Sequence, residues 1–187
     1  WTAVDRVDPL WEIHRQHLSV LEQPRVLEFG DGKHLGQNLY LSAFVGSQVV
    51  VDLFPQLACD QVDSAARTIA RLEPKLRYMP IASAADLAAY HIEYLSPCNV
   101  AMAPFSDGSF DACISTSTLE HIPVADIRLI LLALRRVVRP GGLVSMTIDY
   151  SDHYSHTDHS IGRANFLQYS ESQWRRHNHR THYQNRL

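Results

Sequence analysis

The chain has 187 residues, of which 45% are hydrophobic, so it can build one domain with a substantial core but hardly two. Its formal net charge of -3 gives no overall basic field that would recruit nucleic acid. No apolar run approaches the roughly 20 residues that span a bilayer, and no signal peptide is evident. Three cysteines without paired spacing favour a reducing, cytoplasmic location.

The first part of the chain alternates between helix and strand patterns. Apolar residues at helical spacing predict a helix over residues 8–21. A short buried strand is predicted over 25–29, followed by a helix over 35–44 and a β-branched strand over 48–52. This order is typical of parallel strands that are joined by helices.

The middle of the chain continues the alternation. After Pro55 the pattern predicts a helix over residues 61–73 and a further helical stretch over 83–89. A third strand is predicted over 91–95, and a fourth, strongly apolar strand over 111–115.

The last predicted helix has one apolar face and covers residues 124–138, with Pro123 at its start. The turn at 140–142 is predicted to end it, and a fifth strand follows over 143–148. Strands that alternate with helices predict an α/β fold, with an open, mostly parallel sheet covered by helices on both faces in three layers.

Two glycines, Gly30 and Gly32, follow the first predicted strand directly. Glycines at such a turn allow a ligand to approach the backbone closely, and the first strand-to-helix turn of a parallel sheet is where nucleotide-like cofactors bind. Asp52 ends the second strand about 20 residues later, the spacing expected of a carboxylate that binds ribose hydroxyls. The alternative is an Asp that only starts a turn before Pro55.

Beyond Tyr150 the chain becomes polar, and residues 151–165 are rich in His, Ser and Asp. Ser170 and Gln173 stand at capping-box spacing and predict the start of a short helix, with Trp174 as its anchor. We considered a metal site for the histidines, but their spacing does not match the His-x-x-x-His of a zinc helix. We therefore expect no metal here and a mobile segment that covers the substrate.

Three blocks of the sequence resemble those of the class I S-adenosylmethionine-dependent methyltransferases of the type 11 kind. Residues 26–32 resemble the family's glycine-rich cofactor loop. Residues 104–111 with 117–122 resemble its fourth-strand block, and residues 134–142 resemble the helix and turn before its fifth strand. The order and spacing of the blocks are those of the family, and the resemblance covers residues 25–150.

The resemblance implies a Rossmann-like fold with S-adenosylmethionine as cofactor. It also implies a set of cofactor-binding residues. In this set, Glu28 attracts the ammonium group, Gly30 and Gly32 lie against the methionine part, and Asp52 binds the ribose. Leu53 flanks the adenine beside Phe54, Asn99 and Val100 border the adenine edge, and Ser115 lies at the rim after the fourth strand.

Three features depart from the family's pattern. His34 stands where the family often has a third glycine, and Asn99 stands where it often has an Asp. The family's last two, antiparallel strands cannot be placed before Leu187. Because the chain also begins at Trp1 and not at Met, we expect it to be a piece of a longer protein.

The expected organisation is a single domain over residues 1–187. A helical lead-in covers 1–24, the cofactor-binding core covers 25–150, and a His-rich, substrate-side segment covers 151–187.

On the acceptor side the candidates for a catalytic base are His121 after the fourth strand, and Asp149 and His153 after the fifth. The expected function is methyl transfer to a small molecule, such as a metabolite, sugar or lipid-like acceptor. No basic surface interleaved with aromatic residues supports a nucleic acid. The acceptor and the oligomeric state stay open. Two alternatives are an NAD-type oxidoreductase and a non-catalytic binding protein that keeps the fold.

Overall fold

The computed structural model describes residues 4–30, 32–178 and 184–185. Its α-helices are α1 (Pro9–Leu18), α2 (Gly36–Leu41), α3 (Cys59–Leu72), α4 (Val124–Val137) and α5 (Glu171–His177). Its strands are β1 (Arg25–Phe29), β2 (Ser47–Val51), β3 (Ile92–Leu95), β4 (Phe110–Thr116) and β5 (Val138–Thr147). Short 3₁₀ helices cover Ala84–Tyr90, Leu119–His121, His153–His156 and Asn165–Gln168.

The five strands form one sheet in the order β3-β2-β1-β4-β5, and each neighbouring pair is parallel. In the register of the central strands, Leu27 of β1 lies opposite Val49 of β2 and Cys113 of β4. The strand order reverses between β1 and β4. The carboxyl ends of these two strands therefore define the crevice in which open α/β sheets bind their ligands.

Helices cover both faces of the sheet, which confirms the predicted three-layer α/β fold. On one face, residues of α1, α2 and α3 pack with Val26, Val50 and Ile114 in one buried cluster. On the other face, residues of α4 pack with Leu27 and Cys113 in a second buried cluster. The alternation of neighbouring side chains between the two faces is the period of two that a strand imposes.

Several predicted boundaries are wrong by a few residues. The first helix ends at Leu18 and not at residue 21, because the N–H of Ser19 donates to the carbonyls of Arg15 and Gln16 and closes the last turn. The second helix stops at Leu41, before the predicted end at residue 44. The stretch predicted as helical over 83–89 is a 3₁₀ helix whose N-terminal cap is Ser83.

The turn predicted to separate the last helix from the fifth strand lies inside β5. Phe110 pairs with Val138 and Ala112 with Leu143, so the residues between Val138 and Leu143 bulge out of the ladder. A Cβ on Gly142 would stand 2.7 Å from the carbonyl oxygen of Asp111, which explains the need for glycine at this bulge. The strand therefore starts at Val138 and not at residue 143.

The segment after β5 contains more ordered structure than its polar sequence indicates. Asp152 is fully buried, and Phe166 and Trp174 form a small aromatic contact with ring centroids 5.9 Å apart. The capping box predicted at Ser170 and Gln173 is present, and Trp174 is 4% exposed, which confirms both predictions. The mobility predicted for this segment stays a prediction. Residues 179–183 and 186–187 of the predicted segment 151–187 lie outside the described residues.

Within the part of the chain that the structure describes, no helix has both the length and the apolar character needed to cross a membrane.

Candidate cofactor and acceptor site

The loop between β1 and α2 has the backbone conformation that its glycines allow. Gly30 and Gly32 have φ angles of +81° and +87°, in the left-handed region that favours glycine. A Cβ on Gly30 would lie 2.4 Å from Cγ2 of Thr118, in the loop after β4. The Thr118 hydroxyl donates to the carbonyl oxygen of Gly30 at 3.2 Å, so the loops after β1 and β4 meet at this glycine.

The carboxylate of Glu28 lies beneath this loop and is 1% exposed. Its Oε1 accepts a hydrogen bond of 2.6 Å from the side-chain amide of Gln37, and its Oε2 accepts one of 2.6 Å from Asn38. These charge-assisted bonds join the start of α2 to β1. Contact of Glu28 with a cofactor's ammonium group stays a prediction.

A chain of hydrogen bonds extends from Glu28 to α1. The Thr116 hydroxyl donates to Oε1 of Gln37 at 2.8 Å and lies 3.0 Å from Nε2 of His14. Nδ1 of His14 lies 2.8 Å from Oγ of Ser145, which also lies 2.8 Å from Nδ1 of His17. Because Thr116 donates to Gln37, it accepts from His14, so His14 carries its proton on Nε2 and accepts from Ser145.

Burial lowers the pKa of His14 to about 4, with a smaller contribution from His17. The imidazole is therefore neutral near pH 7. This agrees with the hydrogen-bond pattern, in which His14 donates from one ring nitrogen and accepts at the other.

Asp52 follows β2 and lies against the glycine loop. Its carboxylate is 2% exposed, accepts a hydrogen bond of 2.8 Å from the Tyr94 hydroxyl and accepts another from the backbone N–H of Gly32. Burial raises the pKa of Asp52, and these two hydrogen bonds oppose that effect in part. The acid that the spacing predicted for the ribose is thus held beside the second glycine of the loop.

The residues predicted around the adenine differ in exposure. Leu53 and Phe54 are 55% and 67% exposed and offer an apolar surface next to Asp52. Val100 is buried within the α4 face of the core. The side-chain oxygen of Asn99 accepts from the N–H of Ala101 at 3.0 Å and so caps its own turn.

Ser115 lies inside the sheet and not at its rim. Its side chain is buried, and its hydroxyl donates to the carbonyl oxygen of Phe29 at 3.1 Å. It therefore ties the end of β4 to the end of β1. Its contact with a cofactor stays a prediction.

The residues predicted on the acceptor side come together after β4 and β5. The ring centroids of His121 and His153 lie 4.7 Å apart, and Oδ2 of Asp149 lies 3.5 Å from Nε2 of His153. Burial and the neighbouring charge of His121 keep the pKa of His153 below its usual 6.5, so its imidazole is neutral near pH 7. A neutral imidazole can accept a proton.

Glu120 belongs to the same cluster, although it is not one of the residues predicted for the site. Its side chain is 2% exposed, and Oε1 accepts from the N–H of Asp149 at 3.3 Å. Oε2 is buried and has no hydrogen-bond partner among the described residues. Burial raises the pKa of this carboxyl group.

A second set of residues that the sequence did not indicate fixes the two loops relative to each other. The side-chain amide of Asn185 donates to the carbonyl oxygens of Leu119 and Ile122, at 2.7 and 3.0 Å. Gln184 accepts from the N–H of His153 at 3.2 Å and donates to the carbonyl of Ser151. We call Gln184 and Asn185 the C-terminal clasp, because they join the loop after β4 to the segment after β5.

Comparison with known proteins shows a similarity to methyltransferases. Residues 59–146 match a family model described as a methyltransferase domain. An uncharacterized methyltransferase from Mycobacterium sp. strain KMS is 31% identical over 114 residues, which are 58% of this chain and 42% of the relative. The chain thus spans less than half the length of the curated relatives it matches.

Two solved structures have a similar fold. The YcgJ protein from Bacillus subtilis is 19% identical with a TM-score of 0.53, over 89% of this chain and 64% of the other. A 1,6-didemethyltoxoflavin-N1-methyltransferase from Burkholderia thailandensis is 18% identical with a TM-score of 0.52, over 78% of this chain and 52% of the other.

The chain is similar to the methyltransferase family in the matched model, in its relatives and in the order of its sheet. The cofactor of this family is S-adenosylmethionine. The residues present fit an adenosyl group. The loop after β1 has glycines at positive φ, Asp52 beside it offers a carboxylate for hydroxyl donors, and Leu53 and Phe54 offer an apolar surface for a flat ring.

Proposed function

We propose that this chain transfers the methyl group of S-adenosylmethionine to a small-molecule acceptor. The observation that carries the proposal is the position of Asp52, which receives hydrogen bonds from Tyr94 and Gly32 at the crevice beside β1. A carboxylate held at this place can accept hydrogen bonds from both hydroxyls of a ribose.

The residues of the chain have to bind and align the reactants more than to activate them. The cofactor supplies a methyl group on a sulfonium, which is already activated. Orientation of bound reactants can contribute about 7–11 kcal/mol in the best intramolecular cases. In the proposal, Asp52 holds the ribose, the backbone at Gly30 and Gly32 lies along the methionine part, and Leu53 with Phe54 keeps water from the adenine.

We place the acceptor beside the loop after β4 and the segment 151–187, beyond the carboxyl ends of β4 and β5. His121, Asp149 and His153 meet there, and their mixture of imidazole and carboxylate groups suits a polar, oxygen- or nitrogen-bearing molecule. Metabolite, sugar and lipid-like acceptors all carry such groups. His153 would accept the acceptor's proton, because its imidazole is neutral near pH 7.

Isothermal titration calorimetry with the purified chain tests the proposal. We expect saturable binding of S-adenosylmethionine and of S-adenosylhomocysteine, and no binding of NAD at the same concentrations. Binding of NAD with no response to either sulfur compound would refute the proposed function. A non-catalytic member of the family would bind the cofactor and would not methylate any acceptor in a panel of small molecules.

A further inference from the structure

We propose that Asp149, His153 and His156, together with Glu120 and His121, form a binding site for one divalent transition-metal ion. Ligand atoms of Asp149, His153 and His156 lie within 4.8 Å of one another, and so do those of Glu120, His121 and His153. His153 belongs to both groups and lies where they meet.

The distances between ligand atoms fit a shared ion. Oδ2 of Asp149 lies 3.5 Å from Nε2 of His153 and 3.1 Å from Nε2 of His156. An ion with bonds of about 2.0–2.2 Å separates neighbouring ligand atoms by about 2.8–3.1 Å in octahedral geometry and by about 3.3–3.6 Å in tetrahedral geometry. Only small movements of these side chains are therefore needed to bind an ion.

Hydrogen bonds orient the Asp149 carboxylate for this role. Its Oδ1 accepts from the N–H and from the hydroxyl of Ser151, at 2.8 and 2.6 Å. Oδ2 is thereby directed at the two imidazoles. Nε2 of His156 also lies 3.3 Å from the Ser151 hydroxyl, a contact that ion binding would replace. Hydrogen bonds of this kind around a ligand carboxylate are typical of metal sites.

Two buried atoms of the cluster are unsatisfied. Oε2 of Glu120, on a side chain that is 2% exposed, has no hydrogen-bond partner among the described residues. Nε2 of His153 is also buried and has none within the same residues. Such groups cost free energy unless something pairs with them. A cation between the two loops would pair with both of them.

The loops that carry the ligands are held in place from outside the cluster. The C-terminal clasp binds the backbone at Leu119 and Ile122, on either side of Glu120 and His121. It also binds the backbone N–H of His153. The spacing of the histidines after β5 predicted no metal site, because those histidines were compared only with one another. The fold adds Glu120 and His121 from the loop after β4.

The donor set selects the kind of ion. Imidazole nitrogens with carboxylate oxygens suit Zn²⁺, Co²⁺ and similar ions, whereas Mg²⁺ and Ca²⁺ prefer oxygen ligands throughout. In addition, and resting on the proposed function, the ion would bind an oxygen of the acceptor as a Lewis acid and so position it for methylation. With the ion bound, His153 serves as its ligand, and the ion itself promotes loss of the proton from the acceptor oxygen in place of a free imidazole.

Metal titration of the purified chain, freed of affinity tag and stripped with EDTA, tests the site. Zn²⁺ binding is measured by equilibrium dialysis, and Co²⁺ binding by its visible absorption. We expect one equivalent of either ion to bind. His153→Ala and Asp149→Asn should each weaken binding at least about tenfold. His159→Ala serves as a matched control, because His159 is exposed in the same segment, and it should leave binding unchanged.

Two results would overturn the inference. One is the absence of saturable Zn²⁺ and Co²⁺ binding. The other is equal affinity in the wild type and in Asp149→Asn, whose side chain has the same shape and keeps an oxygen that can accept from Ser151. Calorimetry with S-adenosylhomocysteine on the stripped protein separates this inference from the proposed function. Ion binding without any binding of S-adenosylhomocysteine would refute the proposed function and leave the metal site standing.

Discussion

The side chain of Thr118 lies directly over Gly30, so that a Cβ on this glycine would stand 2.4 Å from Cγ2 and 2.7 Å from Oγ1 of the threonine. The two residues follow neighbouring parallel strands, β1 and β4. Their contact closes the floor of the crevice at which the strand order reverses. The glycine is therefore required both by its backbone angle and by its neighbour.

Gly30→Ala should destabilise the fold and abolish cofactor binding. A φ of +81° strains any residue with a side chain, at a cost of order 1–3 kcal/mol, and the clash with Thr118 adds to it. Urea unfolding and calorimetry with S-adenosylhomocysteine measure the two effects. Gly162→Ala is the control, because no atom of the described residues, apart from its chain neighbours, lies within 4 Å of its added Cβ. Equal stability of the two variants would contradict this account.

Asp52→Asn should weaken binding of S-adenosylhomocysteine at least about tenfold while the fold persists. The substitution keeps the shape but removes the charge that strengthens hydrogen bonds to the ribose, each of which is worth about 1.5–3 kcal/mol. Calorimetry gives the affinity, and Asp60→Asn, an exposed acid in the first turn of α3, is the control. If a folded Asp52→Asn protein binds S-adenosylhomocysteine with unchanged affinity, Asp52 has only a structural role.

His14 should make stability fall between pH 6.5 and pH 4. The unfolded chain binds a proton near pH 6.5, whereas the buried imidazole resists protonation down to a pKa of about 4. In this window the unfolded state binds more protons, so acid favours unfolding. The contribution is full above pH 6.5, and about 2 kcal/mol of it is lost by pH 5.

The comparison of wild type with His14→Gln isolates this contribution. Glutamine keeps one donor and one acceptor but does not titrate. The difference in the free energy of unfolding between the two proteins, measured in urea at pH 7 and pH 5, should shift by about 2 kcal/mol. His159→Gln, at an exposed position, should show no such shift. If the difference in the free energy of unfolding is the same at pH 7 and pH 5, His14 becomes protonated in the folded protein over the same pH range as in the unfolded chain.

Asn185→Asp should loosen the loop after β4. Aspartate has the same shape but cannot donate to the carbonyl oxygens of Leu119 and Ile122, and it adds a charge beside them. Loss of such bonds costs about 1–3 kcal/mol. Thermal unfolding measures the cost, and hydrogen exchange of the amides of His121 and Ile122 should accelerate. Unchanged exchange would show that the clasp does not support this loop.

The sequence predicts the sheet well, and it also predicts the glycine turn with Asp52 close to it, because both rest on short-range patterns. Hydrophobic periodicity located the five strands, and the glycines with the acid at Asp52 marked the crevice. Boundaries were less accurate where two signals conflict. Pro140, Gly141 and Gly142 form a strong turn signal, yet pairing with β4 on both sides makes the segment a bulge within β5.

The polar interior could not be predicted from periodicity. His14, Gln37 and Asn38 have the composition of a solvated helix face, and only the packing of α1 and α2 against the sheet shows that they are buried. Gln184 lies 31 residues from His153 in the sequence, and no local pattern indicates their contact. The only sequence signal for this polar interior was the pair Gln37 and Asn38, which directly follow Gly36 at the start of a predicted helix.

The chain of hydrogen bonds from His17 to Glu28 points in one direction throughout. His17 donates to Ser145, Ser145 to His14, His14 to Thr116, Thr116 to Gln37 and Gln37 to Glu28. No single hydroxyl or imidazole can reverse its polarity without reversing its neighbours, so the residues act as one cooperative unit with a carboxylate at its end. A proton added to His14 goes to Nδ1, which then donates to Ser145 and displaces the bond that this hydroxyl now donates, whereas the bonds from Nε2 of His14 through Thr116 and Gln37 to Glu28 keep their direction.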